Sequence, residues 1–287
     1  MVRWIGGLVG LGFVTALLVG LFLTVTDWVA NPPAETAAEM VRADNKAHGG
    51  RLLDAELSSA GVVGRFDKRQ LQRGYQVYKE VCSACHSIRL VAFRDLAQLG
   101  YSVGQVKTLA AGWDTIPSIN EDTGEATTRK GVPSDHFPLI YPNDTAARAA
   151  NGGAIPPDLS DMVKAREDGA NYIYSLVGHG YVAQSSALLK AFPDAATPKG
   201  RYYNKYFANL NIAMPPPLKQ DGQVEYADGT KSTVSQNAKD VAAFLTWTAE
   251  PKLETRHAAG FGALAFALIF CFLAWGAYQN VWRDVKH

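Results

Sequence analysis

Two cysteines and a histidine stand together at Val81-Cys82-Ser83-Ala84-Cys85-His86-Ser87. Cys-x-x-Cys-His is the pattern that fixes a c-type haem. The two thiols add across the two vinyl groups of the porphyrin, and the neighbouring imidazole lies under the iron as proximal ligand. Two rival chemistries use the same cysteines. A zinc site needs two more ligands, but the only other cysteine, Cys271, lies in a long apolar run, and no histidines stand at metal-ligand spacing. A thioredoxin-like motif belongs between a strand and a helix in a βαβ setting, which nothing here suggests. The motif therefore implies one haem c bound through Cys82 and Cys85, with His86 on the iron.

An electron-shuttling haem of this kind needs a sixth ligand, and a soft methionine thioether favours the reduced iron. Met1 is the chain end and Met40 lies in a polar stretch. Met162 reads as core filler. Met214 is followed by three prolines, which hold an extended backbone and would present the sulfur with little conformational freedom. His136 and His179 remain alternatives by spacing alone.

Elements that must position these residues can be read on either side. Asp67 and Gln70 mark a helix start, and Leu71, Tyr75, Tyr78 and Cys82 then fall on one face. Gly74 beside that face leaves room for another element. A last soluble helix starts near Thr233, with Gln236 completing a capping box. Its inner face is Ala238, Val241, Ala242, Leu245 and Thr248, flanked by Phe244 and Trp247, and Pro251 ends it. These first and last helices are expected to cross beside the haem. Between them lie a short helix at Leu90–Leu96, an acidic loop at Glu121–Glu125, and a proline-rich stretch, Ile155-Pro156-Pro157-Asp158-Leu159-Ser160. Helices are expected at Asp161–Arg166 and Asn171–Val177, and a small hairpin at Gln223–Thr230 with Asp-Gly at its turn. The acidic loop reads first as a solvated turn and second as a docking patch for a basic partner.

The ends are apolar. No charge occurs between Arg3 and Asp27, nor between His257 and Arg283. Each run is long enough for a bilayer, which takes about 20 apolar residues. A secretory signal is the rival for the first run, but its apolar region is usually about 7–15 residues. Two spans put both termini on one side. Haem c is attached outside the cytoplasm, so the termini are expected to be cytoplasmic, in keeping with Arg3, Arg283 and Lys286. The chain thus divides into an anchor or signal segment at 1–30, a linker at 31–65, a haem domain at 66–255, and a second anchor with a short tail at 256–287. A net charge of +1 gives no support for nucleic-acid binding. The fold class is mainly α: a loop-rich c-type cytochrome domain with inserted loops and a small hairpin, flanked by transmembrane helices.

The motifs also resemble a family. Arg73-Gly74-Tyr75-Gln76-Val77-Tyr78-Lys79-Glu80-Val81 leading into the haem motif resembles cytochrome c1 of bacterial ubiquinol–cytochrome c oxidoreductase. So do Asn151-Gly152-Gly153-Ala154-Ile155-Pro156-Pro157-Asp158-Leu159-Ser160, Ile212-Ala213-Met214-Pro215-Pro216-Pro217, and Trp247-Thr248-Ala249-Glu250-Pro251. The likeness covers about residues 65–285. It implies Met214 as distal ligand and Arg166 near a haem propionate. It implies a respiratory electron-transfer subunit in the bacterial plasma membrane, haem domain on the periplasmic side. It implies a cytochrome b subunit, a Rieske iron–sulfur donor and a soluble or anchored cytochrome c acceptor, in a dimeric complex bathed in lipid. The alternatives are a free-standing membrane-anchored cytochrome c serving a terminal oxidase, and a metal-binding assembly protein without haem.

Overall fold

The computed structural model describes residues 2–32, 34–47 and 52–284. Met1 and Lys286 fall outside the described residues. Two helices stand apart from the rest: α1 (Val2–Ala30) and α9 (Leu253–Trp282). Both are long and apolar enough to cross a membrane, and neither is buried against the protein. Their Leu, Val and Phe side chains point outward all round, which suits lipid rather than water. Between α1 and α9 the chain is mainly α.

The core is a helix crossing. Helix α3 (Lys68–Glu80) starts at Asp67, whose carboxylate accepts the Arg69 and Gln70 backbone N–H groups. Helix α8 (Val234–Ala249) starts at Thr233, whose hydroxyl accepts the Gln236 N–H. Both caps lie where their sequences indicated. The two helices touch at Gly74, where an added Cβ would collide with the Asp240 carbonyl oxygen and the Phe244 Cβ. On its other side α8 meets α6 (Gly169–His179), with Gly178 against the Ala238 methyl. A helix packed on two sides needs apolar residues nearly all round, and α8 is buried without a break from Asp240 to Ala249. Tyr75, Tyr78, Phe244, Phe137 and Phe93 form one aromatic cluster, with Phe93 and Phe137 ring centroids 4.4 Å apart.

Asp240 is fully buried at this crossing. Its carboxylate accepts from Gln70 Nε2 at 3.2 Å, Arg73 Nε at 2.8 Å, Arg73 Nη2 at 3.3 Å and Gln236 Nε2 at 2.8 Å. Gln70 and Gln236, expected to close capping boxes, instead turn their side chains onto this carboxylate. Arg73 also reaches Asp228 at 2.7 Å. The Thr230 backbone N–H, then Arg73, hold Asp228 down at about 2.

Several local expectations are corrected. The stretch 31–65 is not all linker: α2 (Ala37–Ala47) lies within it. It docks through Val41 onto Leu188 of α7 (Ser186–Ala191) and onto Leu210. The short helix near Leu90 is a 3-10 helix running Phe93–Leu99, because Asp95 Oδ2 caps the Ala92 N–H and places the start there. Asp161–Arg166 is not helical but a run of turns and bends. Val163 lies so close to Gly169 that a Cβ on the glycine would strike the Val163 carbonyl, so the chain doubles back there. The expected hairpin at Gln223–Thr230 is a pair of turns with no strands. Val224 and Tyr226 are buried on the core instead, and Gln76 Nε2 takes the Glu225 carbonyl. A hairpin does form elsewhere: β1 (Ile116–Ile119) pairs antiparallel with β2 (Ala126–Arg129), and the acidic loop is its turn. Helices α4 (Val103–Ala111) and α5 (Asp144–Ala150) and a second two-residue pair, β3 (Tyr202–Tyr203) with β4 (Asn211–Ile212), complete the domain.

Candidate functional site

Helix α3 ends at Val81 and runs directly into a single 3-10 turn, Cys82–Ala84. The Cys82 carbonyl accepts both the Cys85 N–H at 3.1 Å and the His86 N–H at 2.9 Å. That turn sets the two thiols and the imidazole on one short, rigid piece of chain. Both thiols are free. Burial, then the neighbouring Cys85, pushes the Cys82 thiol up to about 12, so it stays protonated at neutral pH.

His86 is gripped at three points. Its N–H goes to Cys82, and its carbonyl accepts the Tyr78 hydroxyl at 3.0 Å. Its ring Nδ1 lies 2.7 Å from the Pro157 carbonyl oxygen. A carbonyl can only accept, so Nδ1 carries the proton and Nε2 keeps its lone pair, the tautomer a metal ligand needs. Burial keeps the imidazole below its ordinary range, against the pull of the Pro157 bond and Asp158. A neutral ring is what an iron would bind.

The proline-rich stretch is a clamp. Leu159 N–H donates to Ser87 O at 2.8 Å, Leu90 N–H to Ser160 Oγ at 3.1 Å, and Arg89 N–H to Asp158 Oδ2 at 3.0 Å. Asp158 Oδ1 also takes the Ser160 N–H at 2.9 Å, which shapes the loop itself. Prolines 156 and 157 cannot donate, so Pro157 offers a carbonyl to His86 without competing for one. Replacing Asp158 by Ala strips two acceptors from this clamp. The expected cost is about 1–3 kcal/mol, with a broader spread of His86 ring orientations in the ferric electron paramagnetic resonance spectrum. Asp158→Asn should recover part of both. An unchanged melt and spectrum in Asp158→Ala would remove the clamp's role.

Met214 follows β4 and is half-buried. Its carbonyl accepts the Tyr181 hydroxyl at 3.0 Å, which ties it to the end of α6. Asn204 is fully buried, donates to Leu176 O at 2.9 Å, and packs so tightly on Gly180 that no Cβ fits there. Leu210, four residues before Met214, sits at φ 65°. For a branched residue that conformation costs about 1–3 kcal/mol. Its side chain is buried in one cluster with Val41 and Leu188, so the docked α2 helps hold it.

The other sequence candidates are also placed. Met162 is buried in the main core, as filler. His136 donates through Nδ1 to Arg89 O at 3.0 Å and bridges Ala92. His179 packs edge-on against Tyr174 with centroids 4.9 Å apart, and burial, then Lys205, lowers its pKa. Arg166 lies in an exposed bend, not at a helix end. It lines a cavity of about 340 Å³ together with Arg42, Lys205, Glu167 and Tyr172. Cys82, Cys85, His86 and Met214 are not in that lining. From sequence, Tyr78 was read only as part of a helix face, Asp158 only as part of the proline-rich stretch, and Tyr181 was given no role; a tyrosine or aspartate in such a pattern carries no signal until its partner is known.

Two free thiols on one turn, with a neutral imidazole whose Nε2 is free, fit covalent attachment of a porphyrin and ligation of its iron. Among the described residues no group of three or more His, Cys, Asp and Glu side chains could hold a bare metal ion.

Residues 57–285 match the Cytochrome C1 family. Cytochrome c1 of Rhodospirillum rubrum is 44% identical over 250 residues, covering 82% of this chain and 89% of that protein. Cytochrome b/c1 of Bradyrhizobium diazoefficiens is 46% identical over 244 residues, or 79% of this chain and 35% of that longer protein. The mitochondrial heme protein cytochrome c1-2 of Solanum tuberosum is 41% identical over 254 residues, covering 87% of this chain and 92% of the relative.

Proposed function

The chain belongs to the cytochrome c1 family, and from that premise we propose that it is the membrane-anchored haem c subunit that carries electrons in a ubiquinol–cytochrome c oxidoreductase. The observation that carries this reading is the Cys82–His86 turn with the His86 Nδ1 proton directed at Pro157 O. Cys82 and Cys85 would hold one haem c through thioethers, and His86 Nε2 and the Met214 sulfur would hold its iron. When bound, that haem supplies a centre that takes up and gives back one electron at a time.

The rest follows from the chain's own residues. Pro157 fixes the imidazole tautomer, Tyr78 fixes the backbone beneath it, and Tyr181 fixes the backbone of Met214. With His86 and Met214 both holding the haem, the group would supply electron transfer rather than bond chemistry on a substrate. Neither apolar helix carries an Asp, Glu, Lys, Arg or His in its central part, so quinol chemistry and proton relay belong to a partner. The partner is a cytochrome b subunit, and a relative named cytochrome b/c1 supports the pairing. The Rieske iron–sulfur protein is the donor and a soluble or anchored cytochrome c the acceptor, within a dimeric complex. Helices α1 and α9 anchor the haem domain, residues 66–255, at the periplasmic face of a bacterial plasma membrane, with both termini cytoplasmic. The domain therefore meets its redox partners in the aqueous phase.

Purification of the intact chain in mild detergent tests this reading. The expected companions are a di-haem cytochrome b and an iron–sulfur protein, with quinol-dependent reduction of added cytochrome c. A haem-bearing chain that leaves the membrane with a terminal oxidase, and no b-type companion, would favour the free-standing cytochrome.

A further inference from the structure

Helix α2 lies before the matched family region, which begins at residue 57, so the family match does not account for it. It is nonetheless built to stay folded and docked. The Thr36 N–H donates to Glu39 Oε2 at 2.8 Å, and the Glu39 N–H donates to the Thr36 hydroxyl at 3.3 Å, a reciprocal cap on the first turn. The helix then lies along one stretch of chain, residues 203–210. Val41 shares a buried cluster with Leu188 and Leu210, and Tyr203 packs against that cluster. Asn45 is buried and donates through Nδ2 to Lys205 O at 3.5 Å, and Arg42 Nη2 reaches Ala208 O at 3.4 Å. Burial, then Asp44 of α2, raises the pKa of the Tyr203 hydroxyl.

That stretch is a closed unit that leads into Met214. Asn204 N–H donates to Leu210 O at 2.8 Å, Phe207 N–H to Asn204 O at 3.1 Å and Leu210 N–H to Phe207 O at 3.0 Å. Beyond the loop, β3 and β4 pair in the register Tyr203 with Asn211 and Tyr202 with Ile212. The opposite contacts of the unit go to the end of α6. Lys205 N–H donates to Gly180 O at 3.0 Å, Asn204 Nδ2 to Leu176 O at 2.9 Å, and the Tyr181 hydroxyl to Met214 O at 3.0 Å. The loop is therefore held by α6 and by α2 together. Leu210 needs both, because a leucine keeps a φ of 65° only where its surroundings over-determine it. Without α2, Leu210 would lose the cover of Val41, and with it the burial that offsets its strain.

We propose that α2 is a positioning strap for the Met214 loop, acting through Val41: it keeps Leu210, and through the β3–β4 pair Met214, in the arrangement that holds the iron. This rests on the reading that Met214 is the distal ligand. Val41 is a positioning residue, since it touches Leu210 and not the haem. Its cluster is separate from the main core around α3 and α8, so loosening it should open the distal side without unfolding the domain.

The test uses the haem-loaded chain in its complex. It reads carbon monoxide binding to the reduced haem, the charge-transfer band that a thioether gives ferric haem, and the thermal melt. Val41→Ala removes two buried methyl groups, which should raise the rate of carbon monoxide binding by about tenfold through a larger open fraction. The band should weaken, and the melt of the haem domain should stay near the parent's. Val41→Asp, which strands a charge in the cluster, should exceed both spectroscopic effects, and Val41→Ile should keep the parent values. Met214→Leu supplies the fully open reference. Parent-level binding and band in Val41→Ala and Val41→Asp, beside an open iron in Met214→Leu, would overturn the strap and leave the ligand reading intact. A lowered melt with unchanged binding would overturn it too, leaving α2 a structural role only. If Met214→Leu itself binds no carbon monoxide, the ligand reading falls and the strap falls with it.

Discussion

Replacing Met214 by leucine should lower the midpoint potential of the holoprotein by on the order of 0.2 V, a fraction of the ~0.8 V that axial ligands span. The sign follows from the sulfur: a soft thioether stabilises the reduced iron, and an alkyl group offers no lone pair. At 59 mV per decade the shift exceeds a thousandfold in the one-electron equilibrium. The backbone should stay in place, because Tyr181 holds the carbonyl of residue 214 and not its side chain, and Pro215, Pro216 and Pro217 are untouched. Leucine is close to methionine in volume, so packing changes little. The open iron should then bind carbon monoxide when reduced. Redox titration and a carbon monoxide difference spectrum read both effects. An unchanged potential with no carbon monoxide binding would remove Met214 from the iron.

Asp240→Ala should destabilise the domain by about 3–5 kcal/mol, the usual cost of stranding a buried charge. Arg73 and two glutamine amides converge on this carboxylate at the α3–α8 crossing. Removing it leaves the Arg73 guanidinium half-compensated by Asp228 alone and two amides without an acceptor. The melting temperature should fall by about 10 °C. Asp240→Asn keeps one acceptor and should lie between the two. The crossing also positions the haem turn, since α3 ends at Val81, the residue before Cys82. Haem loading should therefore fall with stability, and Gly74→Ala, which wedges the same helices apart, should do likewise. A melt of Asp240→Ala within ~1 kcal/mol of the parent would mean that the crossing does not depend on this network.

Local signals were legible where a residue acts on its own backbone. Asp67 and Thr233 cap the helices they appeared to cap, and the face Leu71, Tyr75, Tyr78 is buried as its spacing indicated. The apolar runs at either end form α1 and α9. Signals that depend on distant partners were not legible. Gln70 and Gln236 have the spacing of capping boxes, but a buried Asp240, 170 residues from Gln70, takes both amides. Helix α2 has Val41 as its one buried apolar residue, too little for a period, and owes its place to Leu188 and Leu210. The real hairpin was missed because β2 is exposed along its whole length and shows no alternation. The false hairpin at Gln223–Thr230 had the right turn residues, and its Asp228 does accept the Thr230 N–H. The core claimed Val224 and Tyr226 before any strand could pair. At the site, Cys82, Cys85 and His86 stand adjacent in sequence and were legible as a unit. The Pro157 carbonyl, which sets the His86 tautomer from 71 residues away, was not.

The most direct measurement is the mass of the proteolytic peptide spanning Cys82 to His86, taken from chain purified out of its own membrane. One haem joined through two thioethers predicts a peptide heavier by one intact haem, with neither cysteine open to alkylation. A peptide of unmodified mass, with both thiols alkylated, would contradict it.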